Sequence, residues 1–431
     1  MSKEENRKNF SKYVSQNILG MIGFSCYVLA DSYFISIAKG ADGLTALNLV
    51  MPLYSIIFSI GEMIGVGSAI RYAISKIKKD ADADDYFWNA IIWCIMSSMI
   101  FVFAGIFFSS DIMRVLGADE HIVAVGNNYT KIFMCFAPMF MCNYVTNAFV
   151  RNDGAPGIAM SATLFSSLFN IVFDYILMFP MNLGMEGAAL ATALSPIIGM
   201  GICSIHFFSK KSSVRLVVCK PSVRKLVAGC QLGISAFVGE MSSAVITLVF
   251  NFVILKLAGN VGVAAYGVVA NIAIVTTAVF NGVAQGSQPL ISSCFGRGDK
   301  DGCTQLKRMG YTTAFVLAAV MYSILFIFAG QFVAVFNSEG SEMLRLYATE
   351  GVKLYFIGIF FAGINIVGGG AFSATEDAFK AAVVSVARGF VLILGAVFVM
   401  SALFGMTGVW LAYAVAEGIT TFIMLVMALR V

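Results

Sequence analysis

Long apolar stretches alternate with short polar gaps over the whole chain. Breaking the sequence at charged or Gly/Pro-rich gaps leaves apolar segments near residues 14–37, 44–70, 87–108, 122–147, 157–179, 187–208, 228–257, 262–292, 311–336, 344–372, 379–402 and 408–429. The hydrocarbon core of a bilayer is roughly 30 Å thick and requires about 20 apolar residues per helical span, a length that each segment reaches. The pattern predicts an all-α integral membrane protein with twelve transmembrane helices.

Composition agrees with this interpretation and excludes several functions. Of the 431 residues, 59% are apolar and 12% are charged, whereas soluble domains are about 25% charged. The net charge of +4 comes mainly from loop lysines and arginines, so we expect no nucleic-acid partner. His121 and His206 lie near span ends, without metal spacing or a nucleophile motif. A membrane-embedded enzyme is therefore the weakest alternative, and we expect no enzymatic activity.

Basic residues are distributed unevenly between the two sides of the membrane. Most of the 28 lysines and arginines fall on the side of the N-terminus, and three more lie within predicted helices. The opposite side has only Lys39, Arg114, Lys256 and Arg345. Because cytoplasmic loops are enriched in Lys and Arg, this alternation supports twelve spans. It predicts a multi-pass protein of the cell (inner) membrane with both termini cytoplasmic.

The sequence contains an internal duplication. The most basic gap, 209–225, is predicted to be a cytoplasmic linker between an N-lobe (1–208) and a C-lobe (226–431) of six spans each. Ile60–Ser68 matches Val279–Ser287 at an offset of 219, and Gly184–Gly187 matches Gly405–Gly408 at 221. Because six is even, the repeats are parallel. This predicts two pseudo-symmetric lobes around a central cleft. The arrangement favours an alternating-access transporter over a channel.

Three predicted spans carry polar residues four apart, and hence on one helix face. The pairs are Tyr27 with Asp31, Asn170 with Asp174, and Ala188 with Thr192. An ionisable group within a span costs about 2.5–3.5 kcal/mol. Carboxylate, amide and hydroxyl oxygens suit a small hard cation, so Asp31, Asn170, Asp174 and Thr192 are candidates for a Na⁺ site, or equally for holding protons. Alternatively, Asp31 sits at a helix end and Asp174 is a cap or pairs with Lys131.

Other charged residues within the spans are ambiguous. Glu240, in the seventh span, is a second candidate for ion coupling or for a substrate charge, unless it is paired or snorkels near an end. For Glu62 and Glu417 a structural role is favoured. Lys131 and Lys353 occupy equivalent repeat positions, which favours snorkelling to the outer interface.

Several motifs carry a resemblance to a known family. The relevant stretches are Ala30–Ile35, Pro52 with Gly61–Gly67, Arg151–Pro156, Asn170–Asp174 and Gly184–Thr192. Through them the chain resembles, over nearly all its length, the prokaryotic branch of the multidrug and toxic compound extrusion (MATE) family. The resemblance implies export of small organic, often cationic amphiphilic, compounds in exchange for H⁺ or Na⁺, with no other cofactor, by a protein that we expect to be monomeric in the lipid bilayer.

The resemblance also nominates residues. It places Asp31, Asn170, Asp174 and Thr192 in a cation-coupling site to which Ala188 lends a backbone carbonyl. Tyr27 and Asn147 match polar positions lining the substrate cavity, and Glu240 matches an acidic position of some branches.

The sequence also departs from the family pattern. The tenth span lacks a clear aspartate, and the Arg-Asn-Asp-Gly turn of the first half becomes Ala374-Thr375-Glu376-Asp377 in the second. The lobes are therefore not expected to be equivalent. A lipid-linked glycan flippase of the same superfamily is the main alternative, but it would require a cationic cavity, and the helices expected to line the cavity here carry more acid than base.

Overall fold

Glycines divide the longest helical stretches of the molecule. The computed structural model describes residues 3–336 and 341–429, which are almost entirely helical. Gly40, Gly259 and Gly405 interrupt three of these stretches, with φ of 60°, 61° and 58° and ψ of −143°, −157° and −134°. Essentially only glycine adopts this combination. Each glycine therefore marks the point where one membrane-length helix ends and the next begins.

Division at these glycines gives twelve helices within the described residues, as predicted. In chain order they are α1 (Lys3–Gly40), α2 (Asp42–Lys78), α3 (Asp85–Val115), α4 (Glu120–Cys135 and Ala137–Asn152), α5 (Pro156–Met178), α6 (Gly184–Phe207), α7 (223–258), α8 (260–296), α9 (Lys300–Ile327, then the short helix Ala329–Phe336), α10 (Glu342–Ala374), α11 (378–404) and α12 (406–429). Without the breaks at Gly259 and Gly405, the described residues hold nine helices long and apolar enough to cross a membrane, or ten with the bent α4. The halves of α4 meet at 46°, beside Pro138, which has no N–H to donate.

The internal duplication is visible in the backbone. Four pairs of residues with positive φ recur at the spacing of the sequence repeat. The pairs are Gly40 and Gly259, Lys79 and Gly298, Gly154 and Glu376, and Gly184 and Gly405. The first two pairs are separated by 219 residues and the last by 221, which are the offsets found in the sequence. Gly154 pairs with Glu376 rather than with Asp377, so the second-half counterpart of the Arg-Asn-Asp-Gly turn begins one residue earlier than the sequence comparison placed it.

The chain divides into two compact units. The first, here called the N-unit, comprises Ser15–Phe237 and Ser292–Asp299. Within it, the half-buried Tyr54 of α2 stacks on the buried Phe133 of α4, with ring centroids 3.6 Å apart.

The second, the C-unit, comprises the described residues up to Val14, Val238–Ile291, and those from Lys300 onward. In its core Tyr355 stacks on Tyr413 at 4.4 Å, and Trp410 is fully buried.

The contacts assign the linker 209–225 and the start of α7, up to Phe237, to the N-unit. Glycines allow this close approach. A Cβ atom on Gly233 would lie 2.0 Å from the carbonyl oxygen of Met63 on α2, and one on Gly67 would lie equally close to that of Gly229. The predicted C-lobe boundary at residue 226 therefore falls inside a helix that packs on the N-unit. Residues 1–2 of the predicted N-lobe, and residues 337–340 and 430–431 of the predicted C-lobe, lie outside the described residues.

Candidate functional site

Asp31 lies inside α1, not at its end. It precedes the break at Gly40 by nine residues and its side chain is buried, with 7% exposed. Its Oδ1 atom is inaccessible and has no hydrogen-bond partner. A buried carboxylate oxygen without a partner is costly. Asp31 is therefore a buried residue within the helix, and the alternative that places it at a helix end is wrong.

Asp174 reaches the same region from α5, within the contact between α5 and α6. Asn170, one turn earlier, places its amide nitrogen 3.1 Å from Asp174 Oδ2, and its amide oxygen accepts from Thr192 Oγ1 of α6 at 3.2 Å. This orientation avoids an amide oxygen facing a carboxylate oxygen. Asn170 and Asp174 are fully buried, as is Ala188, one turn before Thr192. Asp174 Oδ1 is buried and has no hydrogen-bond partner, and the charge that acts on Asp174 is that of Asp31, not that of Lys131.

The two carboxylates share one electrostatic environment. Asp31 and Asp174 are close enough for their charges to repel each other, and among the residues that the structure describes no basic group offsets either charge. The hydroxyls of Tyr54 and Tyr129 hydrogen-bond to each other and lie within range of both charges. Neutral tyrosines cannot cancel two negative charges in a poorly solvated interior. A bound proton or small cation would.

The donor set consists of oxygen atoms only. In the described part of the chain, no three His, Cys, Asp or Glu side chains converge as metal ligands. Two carboxylates supplemented by neutral amide and hydroxyl oxygens form a hard-oxygen set, which fits Na⁺ or a shared proton.

The three predicted cavity residues have different surroundings within their own units. Tyr27, one turn before Asp31, is half-buried and packs edge-on against Phe24 at 5.0 Å. Asn147 instead ties α4 to α5, donating to the Ala159 carbonyl at 3.1 Å and to Thr163 at 3.2 Å. Glu240, half-buried on α7, belongs to the C-unit.

A buried ionic network in the C-unit was not anticipated. Arg388 of α11 binds Glu417 of α12, which also accepts from Asn365 of α10. Arg388 is one of the three basic residues that lie within predicted helices, and for Glu417 the sequence favoured a structural role. The available signal was that two residues of opposite charge, each costly in a bilayer, lie in consecutive spans.

Twelve apolar helices, a duplicated backbone and unpaired buried carboxylates together define a membrane transporter. The sequence model of the MatE family matches residues 17–176 and 236–399. The chain therefore belongs to the MatE family of transporters.

Curated relatives have the same architecture over nearly their full length. The chain is 28% identical over 414 residues to "Multidrug export protein MepA" of Staphylococcus aureus (strain MRSA252), covering 93% of this chain and 89% of that protein. The protein of the same name in Staphylococcus saprophyticus is 26% identical over 410 residues, with the same coverage.

Solved structures show the same fold. A multidrug resistance MATE family transporter of the MOP superfamily, in an outward-facing conformation, aligns with a TM-score of 0.92 at 20% identity, covering 99% of this chain and 96% of that one. A Pyrococcus furiosus transporter of the same superfamily, described as having a binding pocket of reverse polarity, aligns at 0.91 and 19% identity, covering 99% and 95%. The predicted fold of two pseudo-symmetric lobes is thus confirmed.

Proposed function

We propose that this transporter exports small organic compounds in exchange for a cation, H⁺ or Na⁺, bound in the N-unit by Asp31, Asp174, Asn170 and Thr192. The observation that carries the proposal is the pair of buried, unpartnered oxygens, Asp31 Oδ1 and Asp174 Oδ1. The Ala188 carbonyl is the proposed fifth ligand if the ion is Na⁺.

The proposed coupling follows from charge. With both carboxylates ionised, Asp31 and Asp174 repel each other inside the helix bundle, and the packing that brings them together is disfavoured. Cation binding removes part of that repulsion and favours the close arrangement. Because a ligand shifts a conformational equilibrium only by its differential affinity for the two states, this change in charge is sufficient to bias alternating access.

The proposed substrates are organic cations or amphiphiles. The support is the acidic side chains of Asp31, Asp174 and Glu240 on helices expected to line the cavity, together with the description of the relatives as multidrug exporters. The P. furiosus structure shares the fold yet is described as having a pocket of reverse polarity, so the fold alone does not choose the substrate. Glu240 and Tyr27 are the proposed substrate contacts.

The same proposal covers orientation and assembly. Both termini are placed in the cytoplasm on the distribution of lysine and arginine. The transporter is proposed to act as a monomer in the cell membrane and to have no enzymatic activity.

The test is efflux of a fluorescent organic cation from cells producing Asp31→Asn or Asp174→Asn. We expect each change to abolish gradient-driven efflux while membrane insertion is unchanged. Asp111→Asn is the matched control, because its carboxylate is 63% exposed and pairs with Arg114 near the end of α3. Efflux at the control rate in both site variants would refute the assignment. Repeating the assay with imposed pH and Na⁺ gradients identifies the ion.

A further inference from the structure

The C-unit contains a buried ion pair between α11 and α12. The Arg388 guanidinium donates to Glu417 Oε1 from Nη2 at 2.7 Å and from Nε at 3.0 Å, and the Nε atom is also 3.3 Å from Oε2. The side chain of Glu417 is 3% exposed and that of Arg388 is 17% exposed. Arg388 also interacts with the buried Tyr413. The guanidinium of Arg388 on α11 is therefore held against the carboxylate of Glu417 on α12.

Neutral groups complete the surroundings of the carboxylate. Asn365 of α10 donates to Glu417 Oε2 at 2.6 Å and to the Glu417 carbonyl at 2.9 Å. Thr421 donates to the Asn365 amide oxygen at 3.0 Å. A carboxylate, an amide and a hydroxyl, each buried, thus form one hydrogen-bonded set. These are the same three chemical groups that Asp174, Asn170 and Thr192 contribute in the N-unit.

The two sets differ in their fourth member. In the N-unit it is a second carboxylate, Asp31, and both acids keep an unpaired oxygen. In the C-unit it is a guanidinium, and both oxygens of Glu417 have partners. The N-unit set therefore carries a surplus of negative charge that a mobile cation can neutralise. The C-unit set is already neutral.

The C-unit set is not a direct copy of the N-unit site. At the repeat offset of 221, Asn170, Asp174 and Thr192 fall on Val391, Gly395 and Tyr413, none of which carries a negative charge. Arg388 lies on α11, and Glu417 and Thr421 lie on α12, the counterparts of α5 and α6. Asn365 lies on α10, the counterpart of α4, which contributes no residue to the N-unit site.

The backbone at Arg388 is specialised as well. Residues Ala387–Val391 form a π-helical segment within α11. Such segments are rare and occur frequently at functional sites. Next to Arg388, Gly389 packs so closely on α7 that a Cβ atom there would lie 2.6 Å from Ser242 Cβ. The π-helical segment and the close contact between α11 and α7 thus both occur at or next to Arg388, which supplies the cation.

We propose that Glu417, oriented by Asn365 and Thr421, forms a second cation-binding site, of the class that takes a monovalent or guanidinium cation, and that Arg388 fills it as a tethered cation. The consequence for transport rests on the proposed function: the C-unit is held permanently in a cation-bound state, so only the N-unit responds to the ion gradient.

The experiment is chemical rescue of purified Arg388→Ala protein in detergent. The probe is guanidinium chloride at millimolar concentration, with choline chloride as the matched salt and the melting temperature as the readout. We expect guanidinium to raise the melting temperature of Arg388→Ala by at least about 2 °C. We expect no such rise in the wild type, where the site is filled, or in Arg388→Ala/Glu417→Gln, where the acid is gone. No rise in Arg388→Ala, or an equal rise in the double variant, would overturn the proposal.

A second comparison applies if Arg388→Ala does not fold. Arg388→Met leaves the buried carboxylate without a cation, and Arg388→Met/Glu417→Gln removes that charge. The double variant should melt at a higher temperature than the single one, because an unpaired buried charge is more destabilising than a neutral pair. A double variant no more stable than Arg388→Met would also overturn the proposal.

These measurements are independent of transport. They use no ion gradient and no substrate, so a negative result leaves the Asp31 and Asp174 assignment untouched. Conversely, the guanidinium response of Arg388→Ala should persist when Asp31→Asn is added, even if efflux proves not to depend on Asp31.

Discussion

Asp153 is expected to act as the anchor that holds the linker on the N-unit. It lies directly after α4 and accepts four hydrogen bonds at one buried carboxylate. Oδ2 accepts from His206 Nε2 at 2.8 Å, the Ser213 amide at 2.8 Å and Ser212 Oγ at 3.3 Å, while Oδ1 accepts from Tyr72 Oη at 3.1 Å. Two of these donors belong to the linker. Asp153 therefore fixes the first part of residues 209–225 to α2 and α6.

The cost of Asp153→Ala can be worked out from its donors. Tyr72 is 1% exposed and His206 is 3% exposed, so neither can bond to water instead. Each buried donor left unsatisfied costs about 1–3 kcal/mol, which gives about 2–6 kcal/mol for the two. Ser213 is exposed and Ser212 half-buried, so their hydrogen bonds can largely be replaced by water. Most of the lost stability therefore comes from the hydrogen bonds of Tyr72 and His206, near the ends of α2 and α6. Loss of the Asp153 carboxylate also releases the linker.

Trypsin cleavage of the linker provides the measurement. Faster cleavage is expected after Lys210, Lys211 and Arg215 in Asp153→Ala than in the wild type, together with a lower melting temperature. Cleavage after Lys225 should change little, because this residue is bound to Asp85 independently of Asp153.

Unchanged cleavage at the three sites, with an unchanged melting temperature, would refute the reasoning. Equal acceleration at Lys225 would instead show general unfolding, which contradicts a local anchor. Asp111→Ala, at an exposed carboxylate, is the control.

Two further substitutions test the packing of α7 and the N-unit site. Gly233→Leu should destabilise the protein by about 1–3 kcal/mol, because its Cβ would meet the Met63 carbonyl at 2.0 Å; Gly267→Ala, with no atom within 4 Å of its Cβ, should not. Equal melting temperatures for the two variants would contradict this. Asn170→Ala should lower stability by about 1–3 kcal/mol, since it removes the amide bonded to Asp174; wild-type thermal stability would show that this bond contributes little.

The sequence determined the features that depend on neighbours along the chain. Apolar runs long enough to span a bilayer follow from the need to satisfy backbone groups internally, so twelve helices could be counted without coordinates. The pairing of Tyr27 with Asp31 and of Asn170 with Asp174 on single helix faces was also accessible, because residues four apart share a helix face. The offsets of the internal repeat could also be obtained by comparing the two halves of the sequence.

Tertiary structure decided which helices meet and how each is rotated. The partner of Glu417 is Arg388, 29 residues away on another helix, and Arg388 lies in a π-helical segment that no local sequence pattern predicted. The docking of the linker on Asp153 depends likewise on side chains from three separate segments. A sequence period specifies the face of a helix but not what that face contacts, because packing between helices is set by the shapes of both surfaces. The unpaired acids of the N-unit and the paired acid of the C-unit could be distinguished only once those contacts were known.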